Sequence, residues 1–333
     1  MRARELGITI GELDPGALNA ITDVAGTRVG HTTLIEGDAI RTGVTVVLPT
    51  PDGSPCFAGA HRLNGNGELT GLEWVRESGL LTTPVGITNT FSVGVVRDAI
   101  VSWQHEQGLG DWHLPVVGET YDGRLNDIEG MHVTREHVFD ALRAATDGPV
   151  AEGCVGGGTG MICHGFKGGI GTASRVTDAG TVGVLVQANH GRRSRLTIDG
   201  IPVGKLADTP LPGESGAARD GSIIVLVATD GPLLPQQCDR LAQRAALGIG
   251  RLGGAGENSS GDLILAWATG NRIDAKAPSH DVRMLANDRM NDLFYAVIDA
   301  TEEAIVNAML AATTMTGRDG FTVHALPPEL LRG

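Results

Sequence analysis

From Ser222 to Ala228 the chain reads Ser-Ile-Ile-Val-Leu-Val-Ala, apolar and largely β-branched at consecutive positions. A strand with one face in water alternates apolar with polar residues, so a run like this one must be covered on both faces. Residues 263–268, Leu-Ile-Leu-Ala-Trp-Ala, have the same character. Two such strands demand layers above and below them, and amphipathic stretches are present to supply those layers. A helix is predicted from Pro235 to about residue 247, with Cys238, Leu241, Ala242, Ala245 and Ala246 on one face. A longer one is predicted over 288–312, with Leu293, Phe294, Val297, Ile298, Thr301, Ala304, Ile305, Ala308 and Met309 at i, i+3, i+4 spacing. Further helices are expected over 93–103 and 134–145, further strands over 44–48, 85–88 and 181–186, and a glycine-rich loop over 248–262. Together these elements predict a layered α/β sandwich, read as one structural domain over residues 1–333.

Glycine, 49 of 333 residues, is present at about twice its usual share. With aromatics at only 4%, that points to tight turns and close backbone approach. The net charge of −13 argues against a nucleic-acid partner. Cys56, Cys154, Cys163 and Cys238 show no CxxC spacing and read as small buried hydrophobes of a reducing compartment. The ten histidines show no metal-ligand pattern, so neither a metal nor a cofactor is expected. No signal peptide is visible and no apolar run exceeds strand length, which predicts a cytoplasmic protein without a membrane span.

The buried run at 222 is entered from a Pro-, Gly- and charge-rich loop, residues 207–221, that ends in Gly221-Ser222. One reading is an ordinary turn before a strand. The other is a scissile bond. The Ser222 hydroxyl attacks the Gly221 carbonyl, and the amine then freed on Ser222 is the base that a serine nucleophile otherwise lacks. Beside it stands Ser260-Gly261-Asp262, also entering a buried strand; if the two strands are neighbours, a second hydroxyl and a carboxylate converge on Ser222. Tyr121 and Asn189 are suitable donors to an oxyanion, and Glu119 is a suitable partner for a substrate ammonium group. Gly156-Gly157-Gly158-Thr159-Gly160 admits a phosphate-cradling reading, although no Lys-Ser/Thr pair follows at P-loop spacing. The Arg192-Arg193-Ser194-Arg195 cluster reads as a solvated turn or a subunit contact.

These segments, with Asn19-Ala20-Ile21-Thr22-Asp23-Val24, Arg41-Thr42-Gly43-Val44-Thr45 and Leu63-Asn64-Gly65-Asn66-Gly67-Glu68, resemble in content and order the L-aminopeptidase/D-esterase family. That family includes β-peptidyl aminopeptidases, and the resemblance spans nearly the whole chain. It implies a four-layer αββα sandwich similar to the N-terminal-nucleophile hydrolases but differently connected. It also implies self-cleavage between Gly221 and Ser222 into chains 1–221 and 222–333, and a tetramer of such αβ units. Ser222 would be nucleophile and base, Ser260 and Asp262 its supports, and Tyr121 and Asn189 the transition-state contacts. Some relatives carry Glu where this chain has the shorter Asp262. The expected activity is release of an unblocked N-terminal residue from small peptides, amides or esters. The alternatives are an acyltransferase or amidase of the same architecture, a nucleotide-binding protein using the 156–160 glycines, and a non-enzymatic assembly protein.

Overall fold

The computed structural model describes residues 1–110, 112–212, 221–274 and 276–331; most of the loop before Ser222, residues 213–220, lies outside them. In chain order the strands are β1 (Arg28–Glu36), β2 (Ile40–Leu48), β3 (Cys56–Gly65), β4 (Leu80–Leu81), β5 (Val85–Asn89), β6 (Val116–Thr120), β7 (Ile162–Cys163), β8 (Phe166–Lys167), β9 (Gly169–Thr177), β10 (Gly180–Asn189), β11 (Ser222–Thr229), β12 (Gly261–Ala268), β13 (Met315–Thr316) and β14 (Thr322–Val323). The helices are α1 (Leu72–Ser78), α2 (Val93–Glu106), α3 (Arg135–Arg143), α4 (Val203–Leu206), α5 (Pro235–Arg251) and α6 (Met290–Ala311).

Two sheets face each other, one ordered β1-β2-β5-β6 and the other β4-β3-β12-β11-β10-β9. The pleat explains the uninterrupted apolar run, because successive side chains of a strand point to opposite faces. Ile224, Leu226 and Ala228 of β11 point between the sheets and pack with Val47, Val85, Ile87 and Val116. Ile223, Val225 and Val227 point the other way and meet Leu241, Ala245, Val297 and Ile305 of α5 and α6. On the far side α2 and α3 cover the other sheet, with Val96, Ile100, Val138 and Leu142 against Val44, Val46 and Val117. The layers are therefore α, β, β, α. Burying one such side chain contributes about 1.5–3 kcal/mol, and burial on both faces leaves β11 no position for a charge.

Helix α5 runs one turn beyond its predicted end, through Gly248 and Gly250. A Cβ on Gly248 would lie 2.6 Å from the Ile298 carbonyl, so this glycine marks a close crossing of α5 over α6 and not a loop. The last long helix starts at Met290, two residues later than predicted, because Asn287–Arg289 form a 3-10 turn. No helix among the described residues is long and apolar enough to cross a membrane.

Candidate active site

Ser222 is the first residue of β11, and the neighbouring strands bring their ends to the same place. Asn189, the last residue of antiparallel β10, pairs with Ser222. On the other side β12 runs parallel to β11 and sets Asp262 against Ile223. A parallel pair puts two strand starts side by side, so Ser222 and the 260–262 segment meet although they are far apart in sequence.

The Gly261 amide donates to Ser222 Oγ at 3.0 Å. The Ser260 hydroxyl touches the Gly221 carbonyl oxygen and lies 2.6 Å from Asp262 Oδ1. One hydroxyl proton cannot serve two acceptors. Both contacts are satisfied together when Asp262 is protonated, donates to Ser260 Oγ, and leaves the Ser260 proton for Gly221. The surroundings favour that state. Burial pushes the Asp262 carboxyl up to about 6, with nearby Glu257 adding to the effect and the Ser260 and Ile223 hydrogen bonds opposing it.

The Asn64-Gly65-Asn66 motif at the end of β3 holds this turn in place. Asn64 Nδ2 donates to the Glu257 carbonyl at 2.9 Å and touches that of Ser260, and Asn66 Nδ2 donates to the Ser259 carbonyl at 2.8 Å. Gly221 is held by sterics. A Cβ on it would lie 1.7 Å from the Asn189 carbonyl oxygen, so the backbones of 189 and 221 meet only because residue 221 is glycine.

Asn189 is 5% exposed and spends most of its carboxamide on the backbone. Oδ1 accepts from the Ile162 amide at 2.7 Å and Nδ2 donates to the Tyr121 carbonyl at 3.1 Å. Among the described residues the second Nδ2 hydrogen has no partner, which leaves it for a ligand. Tyr121 is 43% exposed, and the contact it makes to the cluster is through its main chain, its hydroxyl resting against Gly123. Glu119, at the end of β6, is buried. Its carboxylate accepts from the Glu68 amide at 3.0 Å and from the Thr90 hydroxyl, and burial raises its pKa. Gly67 separates it from the serine cluster: a Cβ there would lie 3.0 Å from Glu119 Oε1 and 3.1 Å from Gly261 Cα. Glu119 therefore lies one glycine away from the start of β12. The Thr90, Glu68 and Ile162 contacts carry no signal in the sequence, since each is made by the fold.

Two sequence expectations are corrected. The 156–160 segment is buried, and its amides from Gly156 to Thr159 already have partners. Gly156 N donates to Thr33 Oγ1, Gly157 N to Thr45 Oγ1, and Gly158 N to the Val155 carbonyl. A phosphate cradle needs free amides, so these glycines serve packing between the sheets and the nucleotide reading fails. In the arginine cluster, Arg193 is buried and donates to the carbonyls of His164, Gly165 and Thr209. It is a structural cation within the fold, not a solvated one.

The sandwich and the strand-initial serine define a hydrolase with the architecture of the N-terminal-nucleophile enzymes, and comparison with known proteins narrows this. Residues 19–323 match the peptidase family S58. The chain is 49% identical to the β-peptidyl aminopeptidase BapA of Sphingosinicella microcystinivorans, over 99% of this chain and 91% of that protein. Among solved structures, a β-aminopeptidase from Burkholderia sp. superposes with a TM-score of 0.93 at 55% identity, covering 99% of this chain and 97% of the other. The L-aminopeptidase D-Ala-esterase/amidase of Ochrobactrum anthropi, a serine aminopeptidase with a variant of the Ntn-hydrolase fold, gives 0.94 at 45% identity with the same coverage of both chains. The chain belongs to peptidase family S58. Its function is that of an aminopeptidase or amidase of that family.

Proposed function

We propose that the protein matures by breaking its own Gly221–Ser222 bond and then works as an N-terminal-serine aminopeptidase. In the first step Ser222 Oγ adds to the Gly221 carbonyl carbon, the carbon–nitrogen bond breaks, and the proton lost by the hydroxyl ends on the freed amine. Water then hydrolyses the resulting ester, leaving a Gly221 carboxylate and a free Ser222. The observation that carries this reading is the pair of bonds on either side of the junction. Ser260 faces the Gly221 carbonyl, where negative charge would develop, and the Gly261 amide fixes Ser222 Oγ at 3.0 Å.

In turnover the Ser222 amine takes the proton of its own hydroxyl, which attacks the carbonyl of the substrate's N-terminal residue. The free Nδ2 hydrogen of Asn189, with Tyr121 at the exposed edge, serves the oxyanion; Glu119 receives the substrate ammonium; Ser260 and Asp262 hold the Ser222 amine. The resulting acyl-enzyme is hydrolysed by water. The names of the BapA and Burkholderia relatives support N-terminal β-residues as substrates, and that of the Ochrobactrum enzyme supports L-aminoacyl peptides and D-alanyl esters or amides. A cytoplasmic tetramer of αβ units belongs to the same reading.

Intact-mass measurement tests the proposal. Wild type should give two chains, the smaller beginning at Ser222, and Ser222→Ala should stay at 34.6 kDa. The two-chain form should release the N-terminal residue from both a β-alanyl and an L-alanyl amide, with the higher kcat/KM on the β-alanyl one. A wild-type chain that stays whole yet hydrolyses these amides would overturn the mechanism.

A further inference from the structure

Cys163 and His164 lie at the end of β7, and His190 directly follows β10. His190 is distant in sequence from the adjacent Cys163 and His164, and the fold buries all three together. Cys163 Sγ is 3.8 Å from His190 Nδ1, the two imidazoles pack edge to face with centroids 5.2 Å apart, and one ligand-capable atom of each residue lies within 4.8 Å of the others.

Two features of the cluster are left unexplained by packing. Nε2 of His164 and Nε2 of His190 are both buried, and neither has a hydrogen-bond partner among the described residues. For His164 the lone pair can be located. Its Nδ1 is 3.1 Å from the Arg192 carbonyl, an acceptor only, so Nδ1 carries the proton and Nε2 presents a bare lone pair. An unpaired buried acceptor is costly unless something binds it. His164 also sits at φ 49°, in the left-handed region that non-glycine residues rarely adopt. The backbone thus accepts strain to put this imidazole where it is, and such strain gathers at ligand clamps. Gly191 packs directly on the ring: a Cβ there would lie 2.3–2.6 Å from its atoms.

We propose that Cys163, His164 and His190 form a buried site for a borderline-soft transition-metal ion, with zinc as its representative. A thiolate with two imidazoles is a donor set suited to zinc, copper or cobalt and unsuited to magnesium or calcium. Ligand atoms around a tetrahedral zinc lie roughly 3.3–3.6 Å apart, as its bond lengths require. Reaching that size from separations of up to 4.8 Å requires side-chain movements of about an ångström. Binding exchanges the Cys163 S–H proton for a metal–sulfur bond, so one proton is released per ion bound. Occupation would tie the β7 turn to the end of β10. These two segments are already joined by the His164 amide donating to the His190 carbonyl at 2.7 Å, and Asn189 immediately precedes His190. The site therefore braces the backbone that positions Asn189.

Cobalt(II) is the probe. Full-length protein stripped with a chelator and titrated with cobalt should bind roughly one ion per chain. It should develop the near-ultraviolet sulfur-to-cobalt charge-transfer band and the intense visible bands of tetrahedral coordination. Cys154→Ser should keep these bands and Cys163→Ser should lose them. If Cys163→Ser does not fold, His164→Gln, which keeps the thiol, should weaken cobalt binding at least tenfold. Zinc should displace the cobalt and raise the thermal midpoint of wild type. Absence of the sulfur-to-cobalt band in wild type, its survival in folded Cys163→Ser, its loss in Cys154→Ser, or undiminished binding by folded His164→Gln would overturn the proposal.

Discussion

Gly221→Ala is the sharpest test of how the proposed self-cleavage site is built. The new Cβ would lie 1.7 Å from the Asn189 carbonyl oxygen, against 3.4 Å for the nearest ordinary van der Waals contact. About 1.7 Å of separation (3.4 − 1.7) must therefore be found by moving the 221 or the 189 backbone. Either movement disturbs the Ser222–Asn189 pairing and carries the Gly221 carbonyl away from Ser260. Misplacing a reacting group by an ångström costs roughly a hundredfold in rate, equivalent to about 2.7 kcal/mol of barrier. The assay follows the loss of the 34.6 kDa species by intact mass in freshly purified protein. Gly94→Ala is the control, since its Cβ would meet nothing within 4 Å. If Gly221→Ala splits at the wild-type rate, the close-approach account of this glycine is wrong.

Asn189→Ala removes the ligand-facing N–H together with the bonds to Ile162 and Tyr121, and kcat should fall about 10²–10³-fold, as for other oxyanion donors; steady-state kinetics on an amino-acid amide checks this. Asp262 should destabilise the uncut Ser222→Ala protein as pH rises from 3.8 towards about 6, because a folded-state pKa above the ordinary carboxyl value means that the folded chain binds the proton more tightly. Asp262→Asn in that background should raise the thermal midpoint at pH 7, with the gain gone below pH 4. Arg175 and Glu303 form a fully buried ion pair at 2.6 Å, and Glu303→Ala, which strands the guanidinium, should cost about 3–5 kcal/mol in urea unfolding.

The sequence spoke clearly where burial was symmetric. The 222–228 and 263–268 runs and the long C-terminal helix are legible because their apolar residues leave no polar face to misread. Strand β9, Gly-Ile-Gly-Thr-Ala-Ser-Arg-Val-Thr, was not legible. Its glycines suggest a turn, yet a Cβ on Gly171 would lie 1.9 Å from the Ala304 carbonyl, so the residue is small to let α6 lie on the sheet. Arg175 on β9 and Glu303 on α6 are paired inside only by the fold, with no signal in the local sequence. At the site, residue types could be nominated from sequence, but their convergence depends on the parallel β11–β12 register, which local pattern does not encode. The Cys163–His164–His190 cluster escaped for the same reason, since 163 and 190 carry no ligand spacing.

The order of strands in the larger sheet has a consequence for the proposed two-chain form. β12 and β11, from the 222–333 part, are inserted between β3 and β10, from the 1–221 part. Before the 221–222 bond opens, folding is a unimolecular search with every strand on one tether. Afterwards the same sheet can be rebuilt only by two chains meeting, with neither half able to close its ladders alone. Unfolding then becomes concentration-dependent and, in dilute solution, effectively one-way. The proposed cut would turn a protein protected by its equilibrium into one protected by the height of its unfolding barrier. Refolding yield, high for Ser222→Ala and low for the cut form, is the quantity in which that change can be read.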